Sequence, residues 1–244
     1  MSALWKKKIP LYNILKLSLE TREIVEIMSY GIIFDMDGVL LDSGPPHLKS
    51  WEMLARENGL PMKESFFWDT FGRTNESILP ILFGRTLTKK EIEKYSNRKE
   101  ELFREIVRGR VKPFPGVIRI IKILFRKGWK LGVGSSGPRL NVELVLSELG
   151  LGEIVSAYTC AEDVTRGKPH PEVFLKTAHK MGVSPSKCVV VEDSVHGIES
   201  SHRAGMKCIA ITTTNSRDKI DHADLVISSF KELTPTKILE LLGG

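Results

Sequence analysis

The chain has 244 residues, 41% of them hydrophobic, with 36 basic and 30 acidic side chains for a formal net charge of +6. That length holds one large or two modest domains, and the apolar content fills a core, which excludes a disordered chain. The charge is mild and fits an anionic small substrate or a basic surface equally well. No basic run is interleaved with aromatics to suggest nucleic acid, and no apolar run approaches the ~20 residues of a membrane span.

Residues 1–28 differ in texture from the rest of the chain. Trp5-Lys6-Lys7-Lys8 precedes an apolar stretch over 9–19 that Asn13 and Lys16 interrupt. The clean apolar region and small-residue cleavage site of a signal peptide are missing. The segment reads as an amphipathic helix on the core or on a partner, or as an upstream extension, because Met28 can serve as a start. It is expected to be dispensable for chemistry. Cys160, Cys188 and Cys208 are widely spaced and show no Cys-x-x-Cys. An odd count without pairing points to a reducing, cytoplasmic setting, with each cysteine a small buried hydrophobe.

Next comes Gly31-Ile32-Ile33-Phe34-Asp35-Met36-Asp37-Gly38. A short apolar run bounded by turn residues reads as a buried parallel strand, and ligands of open α/β sheets bind outside the carboxyl ends of such strands. Asp35 is thus delivered to the active edge, with Asp37 two positions on. Two carboxylates this close need a cation, a shared proton or hydrogen bonds between them. A hard cation such as magnesium suits carboxylate oxygens and takes substrate phosphate as a further ligand. The plainer alternative is a helix cap or an Asx turn.

Gly44-Pro45-Pro46 reads as a hinge, since two prolines stiffen the backbone. From 47 to 110 the pattern is helical, with helices expected over 47–55, 74–83 and 88–107. Lys112-Pro113-Phe114-Pro115-Gly116 breaks the chain again. This block, 45–112, is read as a small helical cap inserted into a core formed by 29–44 and 113–244. Beyond 116, helices (117–127, 138–149, 171–181, 194–204) take turns with strands (129–133, 156–160, 188–191, 207–211). A strand over 225–227 and a helix from about 234 close the chain. Alternation of this kind predicts an α/β fold with a doubly wound parallel sheet.

Three of the later loops carry residues suited to phosphate chemistry. Gly134-Ser135-Ser136-Gly137-Pro138-Arg139 offers hydroxyls and backbone N–H groups at a helix start. Arg166-Gly167-Lys168-Pro169-His170-Pro171 holds Lys168 in a stiff crossover. Val189-Val190-Val191-Glu192-Asp193-Ser194 repeats the first strand's pattern of apolar run, acidic pair and turn. Singly, each reads as a capping serine, a solvated lysine or a capping aspartate. Four successive crossovers carrying such residues are hard to ascribe to coincidence.

Taken as an ordered set, these motifs resemble those of the haloacid dehalogenase-like hydrolase superfamily, in the branch of β-phosphoglucomutase and sugar-phosphate phosphatases. Asp35-Met36-Asp37-Gly38-Val39 matches the first signature, Ser135 the second, Lys168 with Pro169 the third, and Glu192-Asp193 the fourth. The resemblance spans about residues 29–230 and implies a Rossmann-like core with a small helical cap. It also implies a Mg2+-dependent phosphatase acting on a small phosphorylated metabolite, a sugar phosphate above all. Asp35 would be the nucleophile and Asp37 the general acid and base. Ser135, Ser136 and Lys168 would hold the phosphate. The metal would lie on Asp35, the backbone carbonyl of Asp37, Asp193 and Glu192, the last directly or through water. In the cap, Arg73, within Phe71-Gly72-Arg73-Thr74-Asn75, is placed to meet the substrate's distal group. His47 matches a histidine near the hinge in the mutases, with Trp51 packed below it. A monomer without nucleic acid or membrane partners is expected.

Three rivals remain in view. A phosphomutase shares all four signatures, but Arg139 and the loop around Arg73 depart from the mutase pattern. Gly132-Val133-Gly134-Ser135-Ser136-Gly137 fits the dinucleotide fingerprint G-x-G-x-x-G, yet that reading leaves Asp35, Lys168 and Asp193 without a role. A non-enzymatic phosphoacceptor module would lack the base at Asp37 and the helical insertion.

Overall fold

Six short apolar runs pair side by side because each is too apolar to face water and too short to be a stable helix. A computed structural model describes residues 30–70 and 73–243. The expected N-terminal helix, and Phe71-Gly72 of the cap loop, lie outside these residues. The strands are β1 (Gly31–Phe34), β2 (Lys130–Gly134), β3 (Ala157–Thr159), β4 (Cys188–Glu192), β5 (Lys207–Ile211) and β6 (Leu225–Ile227). They form one sheet in the order β3-β2-β1-β4-β5-β6, every pair parallel. β1 sits centrally, and the chain's direction of winding reverses beside it, where such sheets open a ligand crevice.

Period-two alternation sorts the side chains of β1 between two cores. Ile32 and Phe34 join a large cluster with Val117, Ile120, Ile121 and Leu124 of α5 (Val117–Arg126). Ile33 faces the other way, onto Phe174, Ala178 and Met181 of α7 (Glu172–Met181). The spacing 117, 120, 121, 124 is a single stripe on a helix, so α5 can bury all four at once. Glycine at 132 and 134 lets α7 lie close on β2. A Cβ at Gly132 would come within 2.4 Å of Met181 Sδ, and one at Gly134 within 2.9 Å of Phe174. Two glycines of the dinucleotide-like fingerprint therefore serve helix-to-strand packing, which removes the basis of that rival.

The helical block consists of α1 (Gly44–Glu57), α2 (Glu64–Thr70), α3 (Asn75–Phe83) and α4 (Lys89–Val107). It buries its own cluster, including Trp51, Leu54, Phe67, Ile78, Leu79 and Leu102. Two details differ from the sequence reading. Gly44-Pro45-Pro46 is no separate hinge, for α1 begins at Gly44 and its prolines fall in the first turn, where a missing N–H costs nothing. The short α2 was not anticipated, because its Glu-Ser-Phe-Phe-Trp-Asp-Thr sequence shows no clear helical stripe. α4 opens on a capping box in which Thr88 and Glu91 satisfy each other's backbone N–H.

The two linkers run side by side. Leu41 bridges Pro113 in antiparallel fashion, and Phe114 N donates to Leu40 O at 3.1 Å. The block thus leaves and re-enters the sheet domain at one place, beside the tip of β1. α6 (Arg139–Glu148) and α8 (Val195–Arg203) follow β2 and β4, and α9 (Arg217–Ile220) and α10 (Pro235–Leu241) complete the chain.

Candidate active site

Strand register brings the acidic tips together. Phe34 pairs with Val133 on one side and Val191 on the other, so Asp35 is level with Gly134 and Glu192. Asp35 N continues the ladder by donating to Val191 O at 2.9 Å. With strands about 4.8 Å apart, the next residue of each chain projects over one crevice. Ligand oxygens of Asp35, Glu192 and Asp193 all lie within 4.8 Å of one another, and all three residues are buried.

Lys168 arrives from the loop before α7 and is only 9% exposed. Its ammonium donates to Asp35 Oδ1 at 2.6 Å and to Glu192 Oε1 at 2.5 Å. Glu192 is held from both ends. Its Oε2 accepts from Asp193 N at 2.9 Å, Ser194 N at 3.0 Å and Ser194 Oγ at 2.9 Å. Gly197 makes room for it, since a Cβ there would sit 1.9 Å from the Glu192 carboxyl. Glu192 therefore anchors Lys168 as much as it offers oxygens to an ion.

One lysine does not balance this charge. Burial, followed by the carboxylates of Glu192 and Asp37, pushes the Asp35 carboxyl up to about 7, against the pull of Lys168. Burial and the neighbouring Glu192 and Asp35 push Asp193 well above the carboxylate range. Glu192 goes the other way, because Lys168 and Ser194 outweigh its burial. A cluster of buried hard oxygens with more acid than base suits a hard divalent cation. Asp35 and Asp193 are the carboxylates best fitted to it, as Lys168 offsets their charge less fully than Lys168 and Ser194 together offset that of Glu192.

Gly38 shapes the floor of this crevice. It adopts φ +75°, and a Cβ there would lie 2.0 Å from Asp193 Oδ2. A fifth loop, after β5, supports the same corner. Thr213 Oγ1 donates to Gly38 O at 2.5 Å, and Asn215 Nδ2 to Asp193 O at 3.0 Å. Sequence reasoning passed over this loop, whose only signal was its place at the end of a core strand.

Asp37 and Ser135 stand on the open side. Ser135 is fully buried. Its N donates to Thr159 O at 3.0 Å, and its Oγ accepts from Gly137 N at 2.9 Å, leaving the hydroxyl proton to donate. A Cβ on Gly137 would lie 3.2 Å from Ser135 Oγ and 3.8 Å from Asp37 Oδ2, so the two groups border one space. Ser136 is exposed. Arg139 is drawn aside, its Nη2 donating to Asp163 Oδ1 at 2.7 Å.

From the helical block, His47 on α1 brings its Nε2 to 3.4 Å from Asp37 Oδ1. Its Nδ1 lies 2.8 Å from Lys99 Nζ. An ammonium can only donate, so Nδ1 accepts and the imidazole proton resides on Nε2, facing Asp37. Burial alone would raise the Asp37 carboxyl, but the hydrogen bond and charge of His47, followed by a Ser43 hydrogen bond and the Lys99 charge, outweigh it and lower it. Asp37 is thereby held as a carboxylate. The ring stacked on His47 is Phe103, at 4.0 Å between centroids, rather than Trp51. Trp51 is 3% exposed and lies beneath Lys99, its ring 5.5 Å from the ammonium. Arg73 is exposed at the entry to α3.

Lys99 was missed in the sequence because α4 is crowded with charge. The available signal was positional. Lys99 falls on the buried stripe with Leu102 and Phe103, three and four residues on, where a lysine needs a partner.

Comparisons with known proteins place most of the chain beside phosphatases and hydrolases. A family model described as haloacid dehalogenase-like hydrolase matches residues 32–211. Hexitol phosphatase A of Escherichia coli is 30% identical over 209 residues, covering 85% of this chain and 94% of that protein. The chloroplastic 5-amino-6-(5-phospho-D-ribitylamino)uracil phosphatase of Arabidopsis thaliana is 28% identical over 206 residues. That match takes in 84% of this chain but 55% of the relative's length, so the chain spans little more than half of that protein. A family IA, variant 3 hydrolase from Entamoeba histolytica superposes with a TM-score of 0.80 at 28% identity, covering 88% of this chain and all of that one.

Proposed function

Because the chain belongs to the haloacid dehalogenase-like hydrolase family, we propose that it is a magnesium-dependent phosphatase that releases phosphate from a small sugar phosphate by way of an aspartyl phosphate on Asp35. The observation that carries this reading is Lys168 bridging Asp35 and Glu192, with Asp193 alongside. Relatives such as hexitol phosphatase A support the substrate class by their names.

In this reading an Asp35 carboxylate oxygen attacks phosphorus in line, and the bond from phosphorus to the leaving oxygen breaks. The Asp37 carboxyl gives that oxygen its proton. Water then attacks phosphorus and loses a proton to the Asp37 carboxylate, and the bond from phosphorus to Asp35 breaks to release phosphate. Asp37 serves as acid and then as base. His47 and Lys99, which hold it ionised, favour the second of these states. Lys168 and the Ser135 hydroxyl hold the transferring oxygens, where preorganised donors in a site closed to bulk water act most strongly. Magnesium, held by Asp35, Asp193 and the Asp37 carbonyl with Glu192 behind, would supply charge neutralisation for an anionic nucleophile meeting an anionic substrate.

The helical block, which brings His47 to Asp37, is read as the cap that excludes bulk water. Arg73, exposed at the entry to α3, and His47, beside Asp37, are the proposed substrate contacts. Trp51 acts only through the packing beneath Lys99. The test is phosphate release from p-nitrophenyl phosphate with Mg2+, which Asp35→Asn should abolish while the fold survives. Full activity in that variant would refute the reading. Transfer to a second sugar hydroxyl, as in β-phosphoglucomutase, would appear instead as isomerisation of β-glucose 1-phosphate with a bisphosphate activator.

A further inference from the structure

One buried amide lies where the helical block meets the sheet domain and has no part in the chemistry above. Asn141, in the first turn of α6, is 1% exposed. Its Nδ2 donates to Glu100 Oε2 at 2.7 Å, and its Oδ1 accepts from Arg104 Nη1 at 2.9 Å. Glu100 and Arg104 stand one turn apart on α4. A guanidinium only donates and a carboxylate only accepts, so the orientation of the amide is fixed at both ends.

The contact leads back to the crevice. Glu100 Oε1 accepts from Lys99 Nζ at 2.9 Å and from Asn75 Nδ2 at 2.8 Å. Lys99 in turn donates to His47 Nδ1, and His47 Nε2 faces Asp37. A line of side chains thus leaves the sheet domain at Asn141, passes through the helical block and returns at Asp37.

The position of Asn141 relative to the linkers gives the line its meaning. Seven residues along α6, and so on the same face, Glu148 Oε1 accepts from Gly109 N at 2.6 Å, next to the linker at 111–113. Seven residues of helix span about 10 Å. Glu148 therefore ties the block near its pivot, where a rotation moves little. Asn141 ties it at the far end, where any opening must part the bond. The two bodies keep separate apolar clusters, and this contact is a polar tie between them.

We propose that Asn141 is a positioning residue, the sheet domain's latch for the cap, whose bond to Glu100 holds Lys99 and His47 against Asp37. The proposal rests on the phosphatase reading in that Asp37 is the group being served.

Exchanging the partners tests it. Asn141→Asp sets a carboxylate against Glu100, and Glu100→Gln sets an amide donor against the Asn141 amide. The double variant restores one donor and one acceptor with their positions reversed. Hydrogen exchange of the full-length protein over 97–104 and 139–146 reads the latch without reference to activity. Steady-state kinetics with p-nitrophenyl phosphate and Mg2+ read its consequence. Each single variant should exchange faster in both segments and lose roughly tenfold in kcat/KM, chiefly in kcat, as expected for one hydrogen bond to a charged group. The double variant should recover most of both losses. Asn141→Ser, which removes the amide without adding charge, takes the place of Asn141→Asp if that variant does not fold. Unchanged exchange in the single variants, or a double variant no better than the two losses combined, would overturn the latch. An inactive wild type would instead overturn the phosphatase reading, with the exchange result still deciding the latch.

Discussion

Removing the proposed nucleophile should stabilise the metal-free protein at neutral and alkaline pH. Asp35 is buried among Glu192, Asp193 and Asp37, and its carboxyl is pushed from 3.8 up to about 7. Below about pH 3.8 the group is protonated in both folded and unfolded chains, and it costs nothing. Between 3.8 and about 7 the unfolded chain ionises first, so stability falls as pH rises. Above 7 the folded protein carries the full penalty, on the order of 4 kcal/mol at about 1.4 kcal/mol per tenfold change in proton affinity. Asparagine resembles the protonated acid and avoids this penalty. Urea unfolding in EDTA at pH 5 and pH 8 reads the difference. Asp35→Asn should exceed the wild type by a few kcal/mol at pH 8 and by clearly less at pH 5. Saturating Mg2+ should reverse the order, because the variant loses a ligand while the wild type gains binding free energy. A variant less stable than wild type in EDTA at pH 8, or a difference independent of pH, would refute the electrostatic account.

Other substitutions separate the parts of the site. Lys168→Met leaves Asp35 and Glu192 facing each other unpaired; it should cost roughly 3–5 kcal/mol by urea unfolding in EDTA and at least about 100-fold in kcat. Gly38→Ala adds a Cβ 2.0 Å from Asp193 Oδ2 at φ +75°. Mg2+ affinity by calorimetry should fall at least about tenfold as Asp193 is displaced. Thr88→Ala breaks the capping box of α4 far from the crevice. It should remove about 1 kcal/mol, or about 2–4 °C in Tm, and leave kcat/KM unchanged.

The sheet and its acidic tips were legible in the sequence because both depend on short-range pattern. Apolar runs of four or five residues ending in Asp35, Ser135 and Glu192 read as strands feeding one edge, and parallel register does the rest. Boundaries set by backbone geometry were less legible. Pro45 and Pro46 looked like a hinge but start α1, since proline suits a helix's first turn as well as a rigid turn. The partners that tertiary contact alone creates were not legible at all. Lys99 acquires its role only once α4 lies against α1, and Phe103 replaces Trp51 as the ring under His47 for the same reason. Asn141 reads as an ordinary helix residue until Glu100, 41 positions earlier, is placed against it.

Trapping the phosphorylated protein tests the central claim most directly. Acid quenching during turnover with Mg2+, followed by borohydride reduction, converts an aspartyl phosphate to homoserine that peptide mapping can locate. Homoserine at position 35, lost when EDTA replaces Mg2+, is the predicted result. Phosphate release with homoserine at position 193, or at no position, would contradict it.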